Sequence, residues 1–141
     1  MMKLGNVAEF KRGIPITRKD VVEGDVPVVA GGRKPAYFHN KFNREGETIA
    51  VAGSGAHAGF VSFWTVPVWL SDSFSIHADD SILLQKYLYL FLKKRQHHIH
   101  RLKKGAGIPH VYIGDLQTIP ISPLPSRNRR GLLENWIAGR N

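Results

Sequence analysis

The chain has 141 residues, 43% of them hydrophobic, and 20 lysines and arginines outnumber 11 aspartates and glutamates for a net charge of +9. This length suits one domain with its own core, and no apolar run is long enough for a membrane-spanning helix. The absence of cysteine excludes disulfides, thiolate metal sites and a cysteine nucleophile. The first residues lack the apolar stretch of a signal peptide, so we expect a cytoplasmic protein.

The first eighty residues have the pattern of strands and turns. Short runs rich in valine, isoleucine, phenylalanine and tryptophan alternate with clusters of glycine, proline and asparagine, which is typical of strands joined by turns. The runs are VPVVA, ETIAVAG, GFVSFW and VPVWLSDSFSI. Phe38, Phe63 and Trp69 are expected to fill the core of the resulting sheet.

Polar side chains follow the first two of these runs, where glycines allow sharp turns and a close approach of another surface. Such side chains are suited to contacting phosphates, base edges or stacked rings. They are Arg33, Lys34, Tyr37, His39 and His57.

A single helix is predicted from Ser81 to Lys104. Asp79, Asp80 and Ser81 are typical of a helix start, and no glycine or proline follows until Gly105. Apolar residues gather on one side of this helix, and cationic residues and histidines gather on the other. Only Arg95 projects into the apolar side, so it requires an acidic partner or a break in the helix.

The rest of the chain is predicted to contain two more strands. A strand around His110 to Ile113 precedes a Gly-Asp-Leu turn, and a final strand runs toward Ile121. Pro123 and Pro125 then end the ordered core.

Positive charge is concentrated rather than scattered. Residues 81–114 contain no acidic residue, but they carry seven lysines and arginines and four of the seven histidines. Such a surface favours a polyanion, because cationic side chains neutralise phosphates and release counterions. Nucleic acid is therefore the predicted partner, and a merely solvated basic face is the alternative.

The glycine-rich segment GSGAHAG invites comparison with a nucleotide-binding loop. A dinucleotide fingerprint requires a helix after the glycines, whereas the strand-like FVSFW follows here and the glycine spacing is one residue too long. A hinged loop between strands is the favoured interpretation.

No catalytic or metal-binding constellation is predicted. His97, His98 and His100 lie among lysines that would repel a cation. The acids before the predicted helix are explained by its start, and Glu45 and Glu47 by a solvated turn. A nuclease would need an acidic cluster beside a lysine on a strand, and the sequence has none.

Several ordered motifs resemble one family. They are KLGNVAEFKRGIPITRKD, VPVVAGGRKPAYFHN, IAVAGSGAHAGFVSFW with VWLSDSFSI, and LKKGAGIPHVYIGDLQTIPISPLP. Together they resemble the target recognition domain of the DNA specificity subunits of Type I restriction–modification enzymes. The resemblance implies an α+β fold with a mixed, strongly curved sheet, one long amphipathic helix and short helices. It assigns residues 1–125 to the recognition domain and residues 126–141 to a tail, a truncated or atypical start of the helical spacer.

The resemblance also implies a function. Such a domain has no chemistry of its own and reads a few base pairs of duplex DNA, one half of a bipartite site. Its partners are modification subunits, which bind S-adenosylmethionine and methylate adenine, and a translocating restriction subunit. The chain itself is expected to hold no cofactor and no metal. The alternative is a module that binds RNA or single strands without sequence preference through the same basic face.

Individual site residues follow from their positions and chemistry. The predicted base contacts are Arg33, Lys34, Tyr37 and His57, and Arg33 is suited to a bidentate contact with guanine. The predicted phosphate contacts are Arg12, Arg18, Lys19, Lys93, Arg101, Lys103 and Lys104.

Overall fold

The structure, a computed structural model, describes residues 1–122. The strands are β1 (Met2–Lys3), β2 (Ala8–Arg12), β3 (Glu23–Val29), β4 (Tyr37–His39), β5 (Thr48–Ala52), β6 (Val61–Trp64), β7 (Trp69–Leu70), β8 (Ser73–Ala78) and β9 (Pro120–Ile121). The helices are α1 (Gln85–Lys94), α2 (Gln96–His100) and α3 (Ile113–Gln117), with short 3-10 turns at Leu4–Asn6 and Arg18–Asp20. The predicted tail, residues 126–141, lies outside the described residues, as does the predicted end of the domain at residue 125.

The strands form three sheets. The main sheet has the order β2-β8-β5-β6 and is antiparallel throughout. A second sheet has the order β4-β3-β7, in which β3 pairs with β4 antiparallel and with β7 parallel. β1 and β9 form a two-stranded sheet that brings the start of the chain beside the end of the described part. The predicted α+β class with mixed strand pairing is confirmed.

The core lies between the main sheet and the helices. All five residues of β5 are buried, because other strands flank it and side chains cover both its faces. Leu88, Leu92 and Ile99 from the helical segment are fully buried in the same cluster as Ile49 and Ile76 of the sheet. Burial of such side chains provides most of the stabilisation of a small domain. A second, smaller cluster contains Val29, Ala50, Val68 and Leu70.

The helical segment consists of two pieces, which corrects the prediction of one continuous helix and confirms one of the two alternatives predicted for Arg95, a break in the helix. α1 begins at Gln85 rather than Ser81, and the segment is interrupted at Arg95 (φ −104°, ψ 21°). The guanidinium carbon of Arg95 lies 3.7 Å from the ring centroid of Phe91, and Nη1 donates to the Phe91 carbonyl at 3.1 Å. The cation thus stacks on an aromatic ring at the break instead of entering the apolar interior.

Three more predictions are wrong. The Gly-Asp-Leu segment belongs to helix α3, and the strand predicted around His110 is reduced to single bridges with Ser54 and Lys104. Phe38, expected in the core, is 52% exposed. Side chains alternate along a strand, so Phe38 points to the opposite face from Tyr37 and His39.

His39 is a structural residue rather than a displayed one. It is buried, its Nδ1 accepts a hydrogen bond from the Val22 amide at 3.1 Å, and its ring meets Trp69 edge to face at 5.3 Å. A nucleic acid therefore has no access to this imidazole.

Two polar side chains hold separate parts of the chain together. Gln85 is buried, accepts from the Ala78 amide at 2.7 Å and donates to the carbonyls of Glu47 and Ile76, each at 3.0 Å. This amide connects the first turn of α1 to β8 and to Glu47, the residue directly before β5.

Arg44 connects β2 and β8 to the segment before β5. Its guanidinium donates to Ser75 Oγ at 2.8 Å and to the carbonyls of Asn43, Lys11 and Arg12 at 2.9, 3.0 and 2.9 Å. Burial lowers the pKa of Arg44. Arg44 is therefore a structural cation at the side of the main sheet.

Within residues 1–122, no helix is long and apolar enough to cross a membrane.

Candidate nucleic-acid interface

Strand pairing gathers several loops at one end of the main sheet. Ala52 pairs with Ser73, and Val51 pairs with Val61, so the loop after β5 and the turn before β8 share one end. β3 ends there too, because the Ser71 amide and Ser73 Oγ donate to the Val29 carbonyl at 2.8 and 3.1 Å. We call residues 31–34, 53–60 and 100–112 at this end of the fold the loop end.

The glycine loop, residues 53–60, needs its glycines for conformation and for close approach. Gly55 and Gly59 have φ values of +90° and +92°, which side chains with a Cβ disfavour. A Cβ on Gly59 would lie 3.1 Å from the Ile99 carbonyl, and one on Gly31 would lie 2.9 Å from the Ser54 carbonyl. The glycine loop is thus pressed against α2 on one side and against residues 31–34 on another.

A second loop, residues 104–112, lies against the glycine loop. The Gly55 amide donates to the Pro109 carbonyl and the Val111 amide donates to the Gly53 carbonyl, each at 3.0 Å. Ser54 of the glycine loop is also held by its side chain, whose hydroxyl donates to the carboxylate of Asp72. The two loops therefore form one connected surface.

Side chains from the helical segment hold the glycine loop from behind. Gln96, Lys93 and His100 bond to the carbonyls of Gly59, Val61 and Ala58 at 2.7, 2.7 and 2.9 Å, and Lys103 reaches the Ala56 carbonyl at 3.4 Å. The helical face that was predicted to meet phosphate thus also contacts the loop. The ammonium of Lys93 is occupied by the protein itself, and its pKa is lowered by burial and by the charge of Arg33.

Arg33 and His57 come together around Phe60. The guanidinium carbon of Arg33 lies 5.8 Å from the Phe60 ring centroid, and the Lys93 ammonium lies 4.0 Å from the same centroid. The Phe60 amide donates to the His57 carbonyl at 2.9 Å, so the exposed His57 lies on the same short turn. Lys34, also exposed, follows Arg33 directly.

The other predicted contacts border the loop end. The guanidinium carbon of Arg18 lies 5.8 Å from the Tyr37 ring centroid, and Lys19 shares the same 3-10 turn. Tyr37 pairs with Val28, one residue before the end of β3. Arg12 lines a cleft of about 170 Å³ together with Asp72, His110 and Tyr112.

The second loop also contains two exposed side chains, Ile108 and Tyr112, that were not among the predicted contacts. Ile108 is 64% exposed although it is aliphatic, and Tyr112 is 44% exposed and stacks with His110 at 6.0 Å between ring centroids. The Lys104 ammonium lies 3.0 Å from the Asp115 carboxylate and 5.6 Å from the Tyr112 ring centroid. The motif KGAGIPHVY was a signal for this loop, but its position beside the glycine loop depends on the fold.

The opposite end of the main sheet, which we call the acidic end, carries negative charge. β2 and β5 begin there and β8 ends there, since Ala8 pairs with Ala78 and the start of β5 is antiparallel to the end of β8. Its acidic residues are Glu9, Glu47, Asp79 and Asp80. Four acidic residues therefore cluster at this end, whereas the acidic residues beside the loop end, Asp72 and Asp115, bind Ser54 and Lys104.

The sequence model of the Type I restriction modification DNA specificity domain matches residues 1–129. The chain belongs to this family. The family is the non-catalytic DNA recognition part of restriction–modification systems, and it binds DNA sequence-specifically. The predicted family and its non-catalytic role are confirmed. No curated protein matches this chain.

Solved structures show the same fold as this specificity domain. An S subunit of a Type I restriction-modification system from M. genitalium has a TM-score of 0.83 at 22% identity, over 96% of this chain and 37% of that one. The HsdS subunit of Thermoanaerobacter tengcongensis has a TM-score of 0.71 at 15% identity, over 97% of this chain and 36% of that one. A chain from a study of type I R-M complex assembly and conformational transition has a TM-score of 0.74 at 14% identity, over 99% of this chain and 38% of that one. The specificity domain spans little more than a third of each chain.

Proposed function

We propose that this specificity domain binds duplex DNA through its loop end and reads one half of a bipartite target site for a Type I restriction–modification methyltransferase complex. One observation carries the proposal. The fold brings Arg33, His57 and the cationic residues after α2 to one end of the main sheet, although they are far apart in the sequence.

The cluster of acidic residues at the acidic end supports this orientation on DNA. The acidic end would be repelled by phosphates, whereas the loop end attracts them, so encounter with a duplex is steered toward the loops. Phosphate contacts then fix the register of the protein but carry no sequence information themselves.

The contacts divide by chemistry. Arg33, Lys34, Tyr37 and His57 are proposed to reach base edges, because Arg33, Lys34 and His57 are exposed on loops and Tyr37, half-buried on β4, borders them. Lys93 is proposed to contribute positive charge from behind the glycine loop rather than to contact a phosphate directly, because its ammonium is already hydrogen-bonded to the Val61 carbonyl. The proposed phosphate contacts are Arg12, Arg18, Lys19, Arg101, Lys103 and Lys104.

The proposed partners come from the family. In the complete complex the domain would position modification subunits that bind S-adenosylmethionine and methylate adenine, together with a restriction subunit, in the cytoplasm. Co-expression of the tagged chain with the modification subunit tests this part, and recovery of both in one peak on size exclusion is the expected result.

Selection from a random duplex library tests DNA reading directly. We expect enrichment of a short motif that is bound more tightly than unrelated duplexes, single strands or RNA of the same length. Equal binding to duplex and single-stranded competitors would contradict the proposal and favour an unspecific single-strand module instead.

The Lys104→Ala variant is expected to weaken binding to all duplexes by the same factor and to reduce the slope of log K against log salt concentration by about 0.9. The substitution removes one phosphate-neutralising cation and leaves Asp115 without the ion pair that it makes at 3.0 Å. Fluorescence anisotropy over a salt series measures the slope. Lys86→Ala, a substitution of the same residue type near the acidic end, is the control and should change nothing. A loss confined to the selected motif would contradict the phosphate role.

A further inference from the structure

The side-chain amide of Gln96 binds the backbone on both sides of Phe60. Its Nε2 donates to the Gly59 carbonyl at 2.7 Å, and its Oε1 accepts from the Val61 amide at 2.9 Å. The amide thereby takes the place of a neighbouring strand at the point where the glycine loop becomes β6. Because Gln96 is the first residue of α2, this pair of bonds also fixes the loop relative to the helix.

Lys93 completes the contact one turn earlier in the helical segment. Its ammonium donates to the Val61 carbonyl at 2.7 Å and to Gln96 Oε1 at 3.2 Å while lying 4.0 Å from the Phe60 ring centroid. Both carbonyls next to Phe60 are therefore bound by helix side chains. The Phe60 ring is held in position, since its backbone neighbours and one of its faces are occupied.

Phe60 in turn contacts Arg33. The Arg33 guanidinium carbon lies 5.8 Å from the Phe60 ring centroid, and the Phe60 amide is bonded to the His57 carbonyl at 2.9 Å. A continuous series of contacts thus runs from Gln96, behind the loop, to the Arg33 side chain in front of it and to the backbone of His57. A guanidinium can form a bidentate base contact only when its orientation is fixed, so this support affects base reading more than general affinity.

We infer that Gln96 is a positioning residue for sequence discrimination: it holds the glycine loop and Phe60 so that Arg33 and His57 are presented to the bases. Gln96 itself touches no DNA. This inference rests on the proposed function, because it concerns how the same loop end distinguishes one duplex from another.

The experiment compares Gln96→Leu with Gln85→Leu in the full-length chain. Both substitutions replace a hydrogen-bonding glutamine of the helical segment by an apolar side chain of similar size. Gln85 lies near the acidic end and makes three bonds to strands of the main sheet, so its loss affects folding but not the loops. Affinity is measured by anisotropy for the library-selected duplex and for a scrambled duplex, at a temperature where urea titration shows each variant to be folded.

We expect Gln96→Leu to reduce the ratio of the two affinities roughly tenfold, within the range of one base contact, and to leave binding to the scrambled duplex almost unchanged. Gln85→Leu should leave the ratio unchanged. The inference is overturned if Gln96→Leu keeps the wild-type ratio, or if both variants lose it equally, since general destabilisation would then be the cause.

Gln96→Glu provides an independent variant that is less prone to misfolding. It keeps an acceptor for the Val61 amide and the Lys93 ammonium but loses the donor to the Gly59 carbonyl, so an intermediate ratio is expected. Hydrogen exchange in the free protein is a readout that needs no DNA: relative to the amides of β8, the Val61 amide should exchange faster in Gln96→Leu, which removes its acceptor, and not in Gln96→Glu or Gln85→Leu, which keep it. Unchanged exchange would refute the positioning role, whereas a wild-type chain that enriches no motif would instead refute the proposed function.

Discussion

The Gln85→Leu variant is expected to unfold about 3 kcal/mol more easily than the wild-type protein. Gln85 is 6% exposed, and its amide satisfies the Ala78 amide and the carbonyls of Glu47 and Ile76. Leucine has a similar volume but no polar atoms, so a buried donor and two acceptors would lose their partner at once. A buried polar group left without a hydrogen bond costs more than the bond contributed when present.

Urea denaturation followed by tryptophan fluorescence measures this loss. Lys86→Ala is the control, because the neighbouring side chain is exposed and its removal should change the free energy of unfolding by no more than about 0.5 kcal/mol. A loss of less than about 1 kcal/mol for Gln85→Leu would show that the amide does not hold the helix on the sheet as described.

The Arg33→Ala variant is expected to bind the selected duplex roughly 1–3 kcal/mol more weakly and to relax the preference at one base pair. Arg33 is exposed, lies over the Phe60 ring at 5.8 Å and extends from a loop that closely approaches Ser54. Its planar guanidinium presents two parallel donors, which match the two acceptors of a guanine edge. Binding to unrelated duplexes should fall much less, because only one charge is lost.

Arg33→Lys separates shape from charge at this position. Lysine keeps the positive charge but lacks the planar pair of donors, so affinity for unrelated duplexes should be retained while the preference for the selected motif falls. Selection from the random library, repeated with each variant, identifies the position that is relaxed. Equal losses on the selected and unrelated duplexes would contradict a base-reading role for Arg33.

Much of the local structure could be predicted from the sequence because it depends on nearby residues. The valine-rich runs became β3 and β5, the GFVSFW run became β6, and the final run to Ile121 became β9. The concentration of positive charge after residue 81 and the ordered motifs were sufficient for the family, which the match over residues 1–129 confirms. Apolar periodicity, glycine positions and charge are properties of the chain itself, so they survive any packing arrangement.

The roles of individual side chains were decided by tertiary structure. Lys93 is on the basic face of a helical wheel, but β6 packs against that helix and provides a carbonyl that its ammonium binds. His39 follows a glycine-rich turn like the exposed Lys34, but the Val22 amide and the Trp69 ring bury it. Phe38 is apolar and was predicted to be buried, but the alternation of β4 leaves it exposed.

The loop end likewise combines features that the sequence predicts with features that depend on the fold. The glycine loop could be recognised as a hinge in the sequence, and in the structure Gly55 and Gly59 have positive φ values. Its contacts with residues 31–34, α2 and the second loop could not be predicted, because they join residues as distant in the sequence as Gly53 and Val111 through carbonyls that every residue possesses. By itself the sequence determined the family, the strand pattern and the sign of the charge. Only the tertiary structure decided which cations are exposed and which hold the loop, because that depends on the partner each side chain meets after folding.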